Sequence, residues 1–176
     1  YILKTNPTRT KKQDEFLKLK TFRGVELVHT VTRLGAMNLL LHGIGPEYDE
    51  EGELPIVTAD SLVSDEGIKR NLVLTNPPFG RKSSVTTINE LGERERQTID
   101  SVRFDFIAST SNKQLNFLQH IRTALENKGR AAVVVPDNVL FEGGAGETIR
   151  RNLLYDFNVH TLLRLPAGIF YAQGVR

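Results

Sequence analysis

The chain has 176 residues, of which 39% are hydrophobic and 25% are charged, and it contains no cysteine. This is the composition of one compact globular domain, and the lack of cysteine excludes disulfides and thiolate metal sites. The sequence has no run of 18 apolar residues and no basic-then-apolar N-terminal signal, so we predict neither a membrane span nor export and expect a cytoplasmic protein.

The net charge of +2 is small, but residues 4–23 hold a clear excess of lysine and arginine. Such a segment can meet phosphates, although charge runs are more often solvated faces. The four histidines lack the spacing of metal ligands, and no metal site is predicted.

Strand and helix patterns alternate along the chain. Short apolar runs predict strands, and apolar residues at helical spacing predict helices. In chain order, the predicted elements are a strand at 21–27, a helix at 29–42, strands at 54–58 and 71–75, a helix from Leu115 to near Gly129, a strand at 130–135, a helix at 147–154 and a strand at 157–165. This order predicts an α/β fold with a largely parallel sheet that helices cover on both faces.

The sequence N-P-P-F at Asn76 to Phe79 directly follows a predicted strand, where ligands bind in sheets of this kind. The side-chain oxygen of Asn76 and the carbonyl of Pro77 can each accept one hydrogen of a nucleobase amino group. Pro77 and Pro78 stiffen the backbone, and Phe79 offers a ring on which the base can stack. The alternative is a stiff turn without a binding role.

Two carboxylates also lie at the ends of predicted strands, Glu26 at the end of the strand 21–27 and Asp60 just after the strand 54–58. Glu26 suits hydrogen bonds to ribose hydroxyls, and Asp60 suits an adenine amino group. Either carboxylate could instead cap a following helix or remain solvated, and for Asp60, just before Ser61, binding and helix capping are nearly balanced.

Several segments together resemble one family, the modification subunit of type I restriction-modification systems. They are V-E-L at 25–27, R-L-G-A-M-N-L-L-L-H-G-I at 33–44, A-D-S-L at 59–62, N-P-P-F-G at 76–80, V-V-V-P-D-N-V-L-F-E-G-G-A-G at 133–146 and L-P-A-G-I-F at 165–170. The resemblance implies S-adenosylmethionine-dependent methylation of adenine N6 in double-stranded DNA. It also implies a Rossmann-like, doubly wound sheet and two partners, a specificity subunit and a restriction subunit.

Carried over by position, the resemblance implies roles for two groups of residues. Asn76, Pro77, Pro78 and Phe79 would hold an adenine flipped out of the duplex. Glu26 would hold the cofactor ribose and Asp60 its adenine, with Leu27 and Ser61 beside them. Methyltransferases of this kind carry a glycine-rich loop before the position of Glu26, and no such loop is found there. We therefore expect residues 1–176 to be a partial catalytic domain without its first strand, poorly stable and inactive by itself.

Two other segments are predicted to be mobile. Residues 81–113 are polar and carry both charge signs, as expected of a lid over DNA or of an insertion without a role. The Gly143 to Gly146 cluster is predicted to be a surface loop. Two further functions stay open from sequence: methylation of RNA guanine or of a protein glutamine amide, and a noncatalytic interaction domain.

Overall fold

A computed structural model describes residues 2–46, 54–65, 67–79, 85–88, 94–97, 103–166 and 169. The elements are α1 (Ile2–Thr5), α2 (Lys11–Leu19), β1 (Gly24–Glu26), α3 (His29–Leu41), β2 (Ile56–Thr58), β3 (Arg70–Thr75), β4 (Val85–Ile88), β5 (Arg94–Gln97), α4 (Lys113–Ala124), β6 (Leu125–Val133), α5 (Asn138–Phe141) and α6 (Ala145–Asp156). The chain divides into two compact units, Tyr1–Ser61 and Leu62–Arg176.

The first unit is built on the parallel pair β1 and β2, in which Glu26 lies opposite Thr58. Helix α3 crosses from one strand to the other and buries Thr32 and Ala36. The Thr32 hydroxyl donates to the carbonyl of Val28 at 3.3 Å and accepts from the Thr58 hydroxyl at 3.0 Å. These bonds fasten the start of α3 to the end of β2, because a buried hydroxyl needs partners.

The second unit contains the parallel pair β3 and β6, with Thr75 opposite Val133. Helix α4 runs antiparallel to both strands, because Leu115, near its start, packs in one cluster with Val135, just after β6, and its end meets Lys69, just before β3. Lys69, just before β3, donates a hydrogen bond to the carbonyl of Thr123 near the end of α4. The start of β3 and the end of α4 therefore meet at one end of the unit. Leu115, Val139 and Ile149, from α4, α5 and α6, form the buried apolar core of this unit.

The ladder between β3 and β6 is interrupted between Arg70 and Leu72, and Lys128 has a φ of 65°. A Cβ atom on Gly129 would lie 2.9 Å from the carbonyl oxygen of Glu126, so the close backbone approach in this bulge requires glycine. The predicted helix end near Gly129 was wrong, because Leu125 already has strand geometry and pairs with Arg70. Regular pairing resumes at Arg130, where the strand was predicted to begin.

The alternation of strands with helices and the parallel pairing of strands were predicted correctly. The described strands form three sheets of two strands each, β1 with β2, β3 with β6, and the antiparallel pair β4 with β5. None of the helices in the described ranges combines the length and apolarity needed to span a bilayer. On one face of β3, Leu72 and Leu74 are 53% and 70% exposed.

Three predictions need correction. The strand predicted at 157–165 was wrong: these residues have no regular structure, and within the described part of the chain no strand pairs with them. The predicted loop at Gly143 to Gly146 was wrong in its second half, since α6 begins at Ala145 and Gly146 is buried. Residues 81–113 were expected to lack regular structure, yet they include β4 and β5; their mobility stays a prediction.

Candidate functional site

The N-P-P-F segment leaves the carboxyl end of β3. Asn76 and Pro78 are exposed, Phe79 is half-buried and Pro77 is buried. The Thr75 carbonyl, just before Asn76, accepts a hydrogen bond from the Val134 amide at 3.1 Å, so the adjacent ladder reaches the start of the segment. The segment is thus fixed by one buried proline, while the amide of Asn76 is open to solvent. An exposed acceptor on a rigid backbone can meet a ligand without rearrangement.

Other polar groups lie at this same edge of the second unit. Because β3 and β6 are parallel, residues 134–137 leave the sheet beside Asn76. Helix α4 runs the opposite way, so its N-cap, Asn112, belongs to this edge as well. The Asn112 side chain accepts from the amides of Gln114 and Leu115 and donates to Glu142 at 2.5 Å. The candidate base-binding edge therefore consists of Asn76 to Phe79, residues 134–137 and the N-terminus of α4.

The four predicted cofactor residues are in the first unit, where β1 and β2 end at one edge. Glu26 lies opposite Thr58, and the Ala59 amide donates to the Glu26 carbonyl at 3.1 Å. The Glu26 side chain is half-buried and accepts from the Val28 amide at 2.8 Å. Leu27 is 59% exposed. A carboxylate with one local hydrogen bond keeps further lone pairs for a ligand hydroxyl.

Asp60 and Ser61 follow β2 and are half-buried. Since Glu26 pairs with Thr58 in the parallel ladder, Asp60 and Glu26 leave the sheet at the same edge. The structure thus brings the two predicted carboxylates and their neighbours together within the first unit. The predicted base-binding residues share one edge of the second unit.

A polar network that sequence did not predict holds residues 103–110 along α4. Arg103 is 3% exposed and donates to both carboxylate oxygens of Asp105, at 2.7 and 2.6 Å. Its guanidinium lies 4.3 Å from the centre of the Phe106 ring. The Thr123 hydroxyl donates to Asp105 at 2.5 Å. A fork of this kind, with a cation–π contact, satisfies a buried arginine.

Gln119 holds the next residues of the same segment. Its Oε1 atom accepts from the amides of Ile107 and Ala108 at 2.8 and 2.9 Å, and its Nε2 atom donates to the Ala108 carbonyl at 3.0 Å and to Asn116 at 3.2 Å. Asn116 donates to the Thr110 carbonyl at 2.9 Å. Residues 103–110 therefore follow α4 from its C-terminal half toward the candidate base-binding edge.

The sequence does contain a signal for this network. Gln119 is four residues after Leu115 and so falls on the buried face of α4, where a polar side chain needs hydrogen-bond partners. Asn112 directly before a helical pattern is a typical N-cap. Arg103 and Asp105 gave no signal, since a charged pair two residues apart is common in loops.

The ion pair of Arg103 and Asp105 should make the stability of the protein depend on pH. The Arg103 guanidinium beside Asp105 holds the pKa of that carboxyl well below its ordinary value, with a further hydrogen bond from Thr123 and with partial burial opposing both. A depressed folded-state pKa adds stability above the unfolded pKa of about 3.9, and this stability is lost as the pH falls through the folded value. Asp105→Asn should therefore be less stable than wild type at pH 7, and the difference should shrink below about pH 4.

Thermal unfolding of both proteins at pH 7, 5 and 3 checks this expectation. Glu147→Gln is a matched control, because Glu147 pairs with Arg151 in an exposed (i, i+4) ion pair of small effect. Equal stability of Asp105→Asn and wild type at pH 7 would contradict the prediction, as would a difference that persists unchanged at pH 3.

Comparison with known proteins identifies the family. The model of the N-6 DNA methylase family matches residues 2–176. The chain belongs to the N-6 DNA methylase family. This confirms the resemblance inferred from the sequence motifs. In the N-6 DNA methylase chain described here, the N-P-P-F segment follows β3, Glu26 ends β1 and Asp60 follows β2.

Several relatives are methylase subunits of type I restriction enzymes. The chain is 46% identical over 159 residues to the EcoKI methylase subunit of Escherichia coli K12 and to the StySJI methylase subunit of Salmonella typhimurium. These matches include 89% of this N-6 DNA methylase chain and 27% of each relative. The chain thus spans about a quarter of the length of the curated relatives it matches.

Two solved structures are also similar to this chain. The crystal structure of the EcoKI M protein matches 99% of the chain and 33% of its own, with a TM-score of 0.76 and 43% sequence identity. A second structure, from work on complex assembly and conformational transition of a type I restriction-modification system, matches 88% of the chain and 28% of its own, with a TM-score of 0.66 and 28% identity.

Proposed function

We propose that this chain is part of a methyltransferase that transfers a methyl group from S-adenosylmethionine to adenine N6 in DNA. The observation that carries the proposal is the N-P-P-F segment in a chain of the N-6 DNA methylase family, with Asn76 exposed at the end of β3 and Pro77 buried behind it. Family membership favours DNA adenine over the RNA guanine and protein amide hypotheses. The methyl-transfer experiment below tests the remaining hypothesis, a noncatalytic interaction domain.

The chemistry of the acceptor explains why these residues fit. The lone pair of an exocyclic amine is delocalised into the ring, so the enzyme must favour the positive charge that builds on nitrogen during attack. Acceptors aimed at the two amino hydrogens do this. In our proposal Asn76 Oδ1 takes one hydrogen and the Pro77 carbonyl the other, while Pro78 limits backbone motion and Phe79 stacks on the base. The amino proton then leaves to water.

The first unit fits the adenosine part of the cofactor. Glu26 and Asp60 offer acceptors at one sheet edge for ribose hydroxyls and for the adenine amino group, with the exposed Leu27 as an apolar neighbour and Ser61 as a second polar one. When bound, S-adenosylmethionine would supply an electrophilic methyl group. We further propose a doubly wound, Rossmann-like sheet for the full-length protein.

The partners follow from the same proposal. The relatives are methylase subunits of type I restriction enzymes, and one matching structure concerns assembly of a type I restriction-modification system. We therefore propose that the protein works with a specificity subunit, which selects the DNA site, and with a restriction subunit for cleavage. A cytoplasmic location is proposed together with the DNA substrate.

Methyl transfer by the full-length polypeptide that carries this sequence tests the proposed function. The polypeptide, combined with its specificity subunit, is incubated with methyl-labelled cofactor and with DNA, RNA or protein. We expect label in DNA, recovered as N6-methyladenine after digestion. Label in RNA or protein would favour methylation of RNA guanine or of a protein glutamine amide. DNA binding without any transfer would favour a noncatalytic domain.

A further inference from the structure

Arg164 lies beside the candidate base-binding edge, although sequence assigned it no role. Asp137 follows β6 at this edge, four residues after Val133, which is the ladder partner of Thr75. The Arg164 guanidinium lies 3.9 Å from the Asp137 carboxylate. Residues 157–163 connect the end of α6, where Asp156 pairs with Arg122 at 3.2 Å, to this position. The chain thus returns along the second unit, and Arg164 lies at the edge that holds Asn76.

The ion pair leaves Arg164 available to a ligand. The Arg164 side chain is 88% exposed and that of Asp137 is 73% exposed. A separation of 3.9 Å between two exposed charges is at the outer limit of an ion pair, and such pairs contribute little to stability. The pair is therefore poorly explained as a structural brace. The Arg164 guanidinium lies near Asp137 with its hydrogen-bond donors open to water.

We propose that Arg164 contacts a backbone phosphate of the DNA next to the flipped adenine; this rests on the proposed function. A base that leaves the duplex exposes the phosphates on either side of it at the mouth of its pocket. Guanidinium groups bind phosphate through two parallel hydrogen bonds, with a geometry that lysine cannot reproduce. Asp137 is a weak partner of the arginine in free protein, and the phosphate replaces it in the complex. Arg164 is thus a positioning residue for the substrate.

The test is the salt dependence of DNA binding by the full-length polypeptide with its specificity subunit. Loss of one phosphate contact should weaken binding of cognate DNA by about tenfold at low salt. It should also reduce the slope of log affinity against log salt by about 0.9. We expect both changes in Arg164→Ala and a smaller loss of affinity in Arg164→Lys, while affinity for S-adenosylmethionine stays unchanged.

Arg151→Ala is the matched control. Arg151 is also exposed, at 77%, and pairs with Glu147 at 2.8 Å on the surface of α6. Its removal should leave the salt slope unchanged, which separates a phosphate contact from a general loss of positive charge.

Two results would overturn the role of Arg164. One is a salt slope in Arg164→Ala equal to that of wild type. The other is equal thermal destabilisation by Arg164→Ala and Asp137→Ala with DNA affinity intact, which would make the pair a structural brace. These results differ from the one expected if the proposed function is wrong. In that case the wild-type complex would transfer no methyl group to DNA at all.

Discussion

Replacing Asn76 by alanine should lower the rate of methyl transfer to DNA by about 10²- to 10³-fold, the usual effect of deleting one group that stabilises developing charge. Asn76 is exposed at the end of β3, so the truncation removes an acceptor without opening a cavity. Its effect should therefore appear in kcat and leave cofactor affinity within about twofold of wild type. Single-turnover transfer from labelled cofactor to cognate DNA measures the chemical step directly.

Two further variants make this experiment specific. Asn76→Asp keeps oxygen acceptors at the same position and should retain more activity than Asn76→Ala, because the proposed role needs an acceptor and not a donor. Asn127→Ala removes another exposed asparagine, in the β6 bulge at the opposite end of the sheet, and should leave the rate unchanged. An Asn76→Ala enzyme with a rate within about threefold of wild type would contradict the assigned role.

Periodicity predicted the bounds of two elements closely. Helix α3 was predicted at 29–42 and is found at His29–Leu41, with Thr32 and Ala36 as its buried residues. Strand β3 was predicted at 71–75 and is found at Arg70–Thr75. In both cases the local pattern predicted the bounds of the element closely, although it did not show which side chains are buried.

Predictions failed where the outcome depends on contacts that the sequence pattern does not show. Residues 157–165 alternate like a strand, but a strand forms only when a neighbour accepts its hydrogen bonds, and among the described residues none does. Gly143 to Gly146 suggested a loop by composition. Gly146 is instead buried in the first turn of α6, where a Cβ atom would lie 3.1 Å from the Glu142 side chain. Composition does not reveal such a close approach.

The candidate site was predictable to the extent that it depends on strand ends. Glu26 and Asp60 share one edge because β1 and β2 are parallel, which the βα alternation predicted. The position of Arg164 beside Asp137 was not predictable, because it depends on the path of an irregular segment. The polar network of Arg103 and Gln119 was missed for the same reason, since its bonds join α4 to residues 103–110.

Gln119 should be among the residues most important for the stability of the second unit. It is 2% exposed, and its amide satisfies the backbone of Ile107 and Ala108. Gln119→Met keeps the length of the side chain but removes every one of these hydrogen bonds. Each buried polar group left without a partner costs about 1–3 kcal/mol, so we expect a loss of roughly 3–5 kcal/mol, a large part of typical domain stability.

Hydrogen exchange in the full-length polypeptide measures this loss where it occurs. In Gln119→Met the amides of Ile107 and Ala108 should exchange much faster, because their acceptor is gone and the segment can separate from α4. Asn152→Ala is the control: it removes one bond from a side chain to the Thr148 carbonyl of its own helix and should change stability by less than about 0.5 kcal/mol. Unchanged protection of Ile107 and Ala108 in Gln119→Met would show that residues 103–110 are held by the Arg103 and Asp105 pair without Gln119. Faster exchange at these two amides with unchanged protection in β6 would instead show that the segment opens by itself, with the sheet and α4 intact beneath it.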